Sequence, residues 1–199
     1  MSAITFSADG DSIFYALETG GFPVIVKAAR ATPGTGTAVY SPGAGSAANV
    51  MMVPGNADKV LFYGNFGTDV VVIMHTISTV TNTDISPASL GAKVVNALAV
   101  NPSNEDEIVI GVGTDEDLKY TNDGGATWTD WDATLGFDST ALWVFWSGLY
   151  IAHRYFTAGD NGLDLDLLYS PNEGVSSTNE ESTALGAQAN ICSLEGTEA

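Results

Sequence analysis

Short apolar runs alternate along the chain with polar, glycine-bearing punctuation, and no segment sustains an apolar period of 3.6 residues. Runs of five to seven residues rich in Val, Ile, Phe and Tyr, among them "DSIFYAL" (11–17), "DKVLFYG" (58–64) and "DEIVIGV" (106–112), are bounded by "PGNAD", "NPSNED", "TDED" and "NDGG". β-branched and aromatic residues suit a pleated, half-buried surface, and the bounding residues are those that turns select. The pattern predicts an all-β chain of short strands joined by tight turns.

The strands recur at a fixed interval. "SAITFS" (2–7), "NVMMVP" (49–54), "NALAVN" (96–101) and "NICSLE" (190–195) each open a short apolar run with Ser or Asn, at spacings of 47, 47 and twice 47 residues; the missing start falls at "ALWVFW" (141–146). The Asp that precedes each of the three longer runs, at 11, 58 and 106, repeats at 47 and 48. "YTNDGGAT" (120–127) returns 49 residues later as "YSPNEGVS" (169–176). The chain therefore divides into units of about 2–48, 49–95, 96–140 and 141–189, followed by a strand at 190–195. About four strands in each unit of some 47 residues is the signature of a propeller blade, a sheet that hides its faces against its neighbours. The expected architecture is a single β-propeller-like domain of about four blades, each of four antiparallel strands. A lone strand in the first-strand register of a fifth unit leaves the count unclosed, and three outcomes follow: four blades in a small ring, an incomplete arc of a larger ring, or completion by another subunit.

One segment carries a specific motif. "TNDGGATW" (121–128) resembles the Asp-box, or BNR repeat, written Ser/Thr, any, Asp, any, Gly, any, Thr, Trp; its fixed positions are met by Thr121, Asp123, Gly125, Thr127 and Trp128. Residues 96–131 as a whole resemble one blade of the propellers of sialidases, sortilin-type receptors, xyloglucan hydrolases and photosystem assembly factors. A worn copy of the motif is seen in Ser170, Asn172, Gly174 and Ser176, and "VIMHTIS" (72–78) holds none. The resemblance implies that the box is a folding device at the hairpin between the third and fourth strands of a blade, away from a central ligand site. Turn physics agrees: a carboxylate at Asp123 can accept backbone N–H groups, Gly125 tolerates φ > 0, and the Trp128 ring can pack between blades.

Charge and composition narrow the partners. Lys+Arg 6 against Asp+Glu 24 gives a net charge of −18, which repels phosphate backbones and anionic membranes, so nucleic acid is excluded as a partner. The longest apolar stretch, 141–152, is 12 residues, short of the roughly 20 that span a bilayer, and "MSAITFSADGDSIF" lacks the basic and apolar regions of a secretory signal; no membrane partner is expected. The one cysteine, Cys192, excludes an intrachain disulfide and a thiolate cluster, and reads as a small buried hydrophobe.

Catalytic chemistry is harder to find. The sialidases grip their substrate carboxylate with three arginines, and this chain has Arg30 and Arg154 alone. A glycoside hydrolase needs two carboxylates about 5–9.5 Å apart; Asp115, Glu116, Asp117, Asp160, Asp164 and Asp166 are candidates, but clusters of this kind are expected as solvated loops in so acidic a chain. His75 and His153 stand among apolar neighbours and read as packed or surface histidines. "GDNGLDLDL" (159–167) offers spaced oxygen ligands for weak calcium binding, without the closing Glu of an EF-hand loop; its "LDLDL" reads more simply as a strand with one wet face. No cofactor is expected. Trp131, Trp143, Trp146 and Tyr155 would stack on sugar rings if the chain took a glycan, with core packing as the alternative. The expectation is a non-catalytic structural or binding module, self-associating or bound to protein partners in an assembly such as a virion or extracellular particle. A carbohydrate-binding or hydrolytic Asp-box propeller is the alternative.

Overall fold

The structure, a computed structural model, describes residues 3–88, 90–91, 93–113 and 117–130, and the strand backbones of 140–145, 150–156, 163–169 and 178–179. It contains four sheets, each of four antiparallel strands in chain order. The first holds β1 (Ile4–Phe6), β2 (Ser12–Thr19), β3 (Phe22–Ala29) and β4 (Thr37–Tyr40), and the second β5 (Ala47–Met52), β6 (Lys59–Asn65), β7 (Val72–Thr76) and β8 (Thr81–Asp84). The third holds β9 (Val94–Asn101), β10 (Asn104–Gly113), β11 (Asp117–Thr121) and β12 (Thr129–Asp130), and the fourth β13 (Thr140–Phe145), β14 (Tyr150–Phe156), β15 (Leu163–Tyr169) and β16 (Thr178–Asn179). First strands begin at 4, 47, 94 and 140, spacings of 43, 47 and 46, so the sequence period of about 47 residues is a period of sheets. β15 realises "LDLDL" as a strand, while residues 159–162 and the expected strand at 190–195 lie outside the described residues.

Local chemistry explains the meander. β2 and β3 are joined by Gly20 and Gly21 alone, with φ of +64° and +85°. A two-residue hairpin with both central φ positive matches the right-handed twist of the flanking strands, and glycine reaches it without a Cβ clash. The second strands of the second and third sheets are covered on both faces: Val60, Leu61 and Phe62 of β6 are each fully buried in succession, as are Ile108, Val109 and Ile110 of β10. Strands buried on both faces read as continuous apolar runs rather than alternating ones. The fourth strand of the second sheet is polar; all four residues of β8, "TNTD", are exposed.

Residues 1–95 and 96–199 form two compact units. In the first, Phe14, Ala16 and Ile25 of the first sheet meet Ala48, Val50, Val60, Phe62 and Ile73 of the second in one buried cluster. Successive members of a strand are two residues apart, as the period of a pleated strand requires. Polar bonds cross the same joint: Met52 N donates to Thr5 Oγ1 at 3.4 Å, between positions 47 apart, and Asn82 Nδ2 donates to the Val39 carbonyl at 2.9 Å. In the second unit β13 lies against β10. Among the described residues no helix is long and apolar enough to cross a membrane.

Candidate functional site

The hairpin between β11 and β12 carries Thr121, Asp123, Gly125, Thr127 and Trp128, the residues whose pattern resembles an Asp-box. β11 runs antiparallel to β10, with Thr121 opposite Ile108, so the Thr121 side chain sits at a buried strand end, 1% exposed. From there its hydroxyl governs the turn: Oγ1 accepts the N–H groups of Gly125 at 2.9 Å and Asp123 at 3.3 Å and donates to Asp123 Oδ1 at 2.8 Å. The Asp123 carboxylate closes the other side, accepting Thr127 N–H on Oδ1 at 2.8 Å and Thr127 Oγ1 on Oδ2 at 2.6 Å. Gly124 and Gly125 both take positive φ, +69° and +93°, and Gly124 N–H reaches back to the Asp106 carbonyl at 3.0 Å. Trp128 is half-buried, and Lys119 pairs with Asp130 across β11 and β12. The Thr127 hydroxyl, then its N–H, then the Thr121 hydroxyl hold the Asp123 carboxyl down at about 2, against an ordinary 3.8. Hydrogen bonds to the ionised form favour it, and a carboxyl in this state is a poor proton donor at neutral pH.

The corresponding turn of the second sheet, between β7 and β8, borrows its carboxylate from elsewhere. Asp58, in the loop entering β6, accepts Ser78 N–H at 2.7 Å on Oδ1 and Ser78 Oγ at 2.6 Å on Oδ2. These bonds, the hydroxyl first, lower the Asp58 carboxyl from its ordinary value. Asp58 is one of the periodic aspartates, and its partners reveal why they repeat. The carbonyls of Asp11, Asp58 and Asp106 accept the N–H groups of Arg30, Ile77 and Gly124 at 2.8, 2.8 and 3.0 Å; the donors are 47 residues apart. Two residues before each aspartate, Asp9, Asn56 and Asn104 accept its N–H on Oδ1 at 2.9, 2.9 and 3.3 Å, a repeated side-chain turn that the sequence reading missed. The signal was present as an Asx residue at a spacing of 47 and 48, masked by its alternation between Asp and Asn.

Other carboxylates are engaged locally. Glu107 accepts Asn101 Nδ2 and Asn104 Nδ2, each at 2.7 Å. Asp9 accepts the Ser7 hydroxyl at 2.6 Å, which with the Asp11 N–H lowers its carboxyl. A cavity of about 400 Å³ beside the β2–β3 hairpin, bordered by Leu17, Pro23 and Ala48, has Glu18 as its one ionisable wall residue. A second, beside the β1–β2 turn, sets Asp11 with Arg30, and a third, beside Phe6 and Met52, has no ionisable wall residue. Among the described residues no group of three or more His, Cys, Asp or Glu is placed to hold a metal ion.

Asp115, Glu116, Asp160, Trp131, Trp146, Cys192 and the worn motif Ser170, Asn172, Gly174 and Ser176 lie outside the described residues. Asp117 is placed on β11, Trp143 on β13, His153, Arg154 and Tyr155 on β14, and Asp164 and Asp166 on β15, as backbone positions; Tyr155 pairs with Asp164 and His153 with Asp166.

No known family profile matches the sequence, and no curated protein matches it. Solved structures match its fold. A chain of the nidogen/laminin complex superposes with a TM-score of 0.61 over 89% of this chain and 61% of its own, at 9% identity. A chain of the COPII outer coat vertex on membranes gives 0.63 over 92% and 50%, at 14% identity, and the GH74 xyloglucanase from Xanthomonas campestris 0.56 over 85% and 28%, at 15%. These neighbours are β-propeller proteins, and the all-β meander sheets share that fold. The chain spans 61% of the nidogen/laminin chain and half of the COPII chain.

Proposed function

We propose that the chain is a non-catalytic β-propeller module, a structural or binding element of a larger assembly such as a virion or extracellular particle. One observation carries this reading: among the described residues, the carboxylates held away from their ordinary value, Asp9, Asp58 and Asp123, are all shifted downward by hydrogen bonds that close turns. Glycoside hydrolysis requires the opposite, a carboxyl raised toward neutrality beside a second carboxylate in one cleft. The three cavities described above each carry at most one acid. On this reading the Asp-box of Thr121, Asp123, Gly125, Thr127 and Trp128 is a folding device. The assembly clause draws support from two neighbours, a nidogen/laminin complex and a coat vertex, and from a net charge of −18 that would steer cationic protein surfaces toward the chain.

The test is a glycoside hydrolase screen and a glycan array on the full chain, with light scattering over a concentration series. The expected result is no turnover, no glycan signal and concentration-dependent growth in mass. Turnover that is lost in Asp123→Asn while the melting temperature holds would replace this reading with the hydrolytic one.

A further inference from the structure

In the apolar joint between the first and second sheets, one buried group is ionisable. His75 on β7 is 1% exposed. Its ring stacks on Phe62 of its own sheet, with centroids 5.3 Å apart and planes at 23°, and meets Phe14 of the first sheet edge-on at 5.9 Å. Nδ1 lies 2.8 Å from Asn82 Oδ1 on β8, and Asn82 Nδ2 donates to the Val39 carbonyl of β4 at 2.9 Å. This second bond fixes the protonation of the first. A backbone carbonyl only accepts, so the amide NH2 points at Val39 and Oδ1 at the imidazole; Nδ1 must then be the donor. The neutral ring therefore carries its proton on Nδ1, and its lone pair on Nε2 has no hydrogen-bond partner among the described residues.

We propose that the joint between the first and second sheets is a proton-controlled latch: the neutral His75 imidazole, clasped between Phe14 and Phe62 and tied through Asn82 to Val39, holds the sheets together, and a second proton on Nε2 releases them. The charges around it favour this behaviour. Lys27 of β3 stands with Nζ 5.7 Å from the Phe14 ring centroid and repels a cation at His75. Asp58 would attract one, but Ser78 already occupies both its oxygens. Lys59 at the start of β6 acts on Asp58, and Tyr40 of β4, stacked on Phe62 at 6.2 Å, is raised above its ordinary value by burial and by Asp84, so it stays neutral. Burial first, and Lys27 with it, lower His75 below its ordinary 6.5, against the opposing pull of the Asn82 bond and Asp58. The unfolded or opened chain takes its proton near 6.5 and the closed joint resists. Closure is thus fully favoured above that pH and weakens as pH falls below it toward the folded value, by at most about tenfold per pH unit.

The chain has two histidines, so few other groups titrate between pH 7.5 and 5.5. The test follows the imidazole resonances of the full chain by NMR, together with hydrogen-exchange protection of the β2 and β7 amides corrected for intrinsic rate. Protection should fall severalfold across this window in the wild type and in His153→Gln. It should be flat in His75→Phe, which keeps the stacking and deletes the titration. Asn82→Asp gives up the bond to the Val39 carbonyl, which lowers protection at every pH, but places a carboxylate on Nδ1–H and should flatten the fall of protection with pH. A His75→Phe chain that keeps the wild-type pH slope, or a wild-type His75 that titrates near 6.5 with unchanged protection, overturns the latch. If His75→Phe does not fold, the Asn82→Asp slope decides: one equal to the wild type's has the same meaning.

Discussion

The turns β7–β8 and β11–β12 occupy the same place in successive sheets and are held by different logic. In the third sheet the carboxylate is internal: Asp123 binds Thr121 and Thr127, two residues before it and four after. In the second the carboxylate comes from Asp58, 20 residues away in sequence, and binds one residue, Ser78. The internal arrangement needs a fixed local spelling, which is why a motif can be read there. The borrowed one needs only that a neighbouring loop present an acid, so it leaves no local pattern. The second solution also carries strain. Val80, at the position that Thr127 holds one period later, has φ of +53°, the one non-glycine with positive φ among the described residues, and is 67% exposed. A β-branched residue reaches that backbone only at a cost.

The largest effect should come from the internal carboxylate. Asp123→Ala unpairs the Thr127 N–H and frees the Thr121 hydroxyl, and should lower the melting temperature by several degrees in thermal unfolding followed by circular dichroism, with binding by the still-folded protein retained. Asp58→Ala should lower it less, because the Asp58 carboxylate binds one residue of its turn, Ser78, where that of Asp123 binds two, Thr121 and Thr127. Equal losses would mean that the turns depend on their carboxylates alike. Val80→Gly should raise stability by about 1 kcal/mol in denaturant melts, since the strain is relieved at an exposed site with little packing to lose. No gain there would mean that the Val80 side chain makes a contact worth its strain. Acid should separate the turns as well. With Asp123 near 2 against 3.8 unfolded, its contribution is complete above 3.8 and is lost as pH falls through about 2. Melting temperatures of wild type and Asp123→Asn should therefore converge between pH 4 and pH 2. Smallest is the effect of salt: screening of a net −18 should raise the melting temperature gradually, most of it by about 0.1 M where the Debye length is about 10 Å. A flat response would indicate carboxylates already paired.

The repeat and the strands were legible because burial leaves a side-chain record. "KVLFYG" and "EIVIGV" are continuous apolar runs because β6 and β10 are covered on both faces. The turn at 121–127 leaves a local pattern in the sequence because Thr121, Asp123, Gly125 and Thr127 each act through a side chain or a glycine backbone. The donors at Arg30, Ile77 and Gly124 leave none, although their spacing is as regular, because a backbone N–H is common to every residue but proline. Nor was the setting of His75 visible. Its partners Phe14 and Asn82, and Val39 reached through Asn82, come from three strands of two sheets, and only the packed joint brings them together.

On the proposed reading the Asp123 carboxylate is committed to folding rather than to proton transfer. A site-resolved carbon-13 carboxyl titration of Asp123 in the full-length chain tests it most directly. A midpoint at about 2 is predicted, set by the bonds from Thr127 and Thr121. A midpoint above the ordinary 3.8 would mean a carboxyl kept protonated, as a general acid requires, and would contradict the structural role assigned to it.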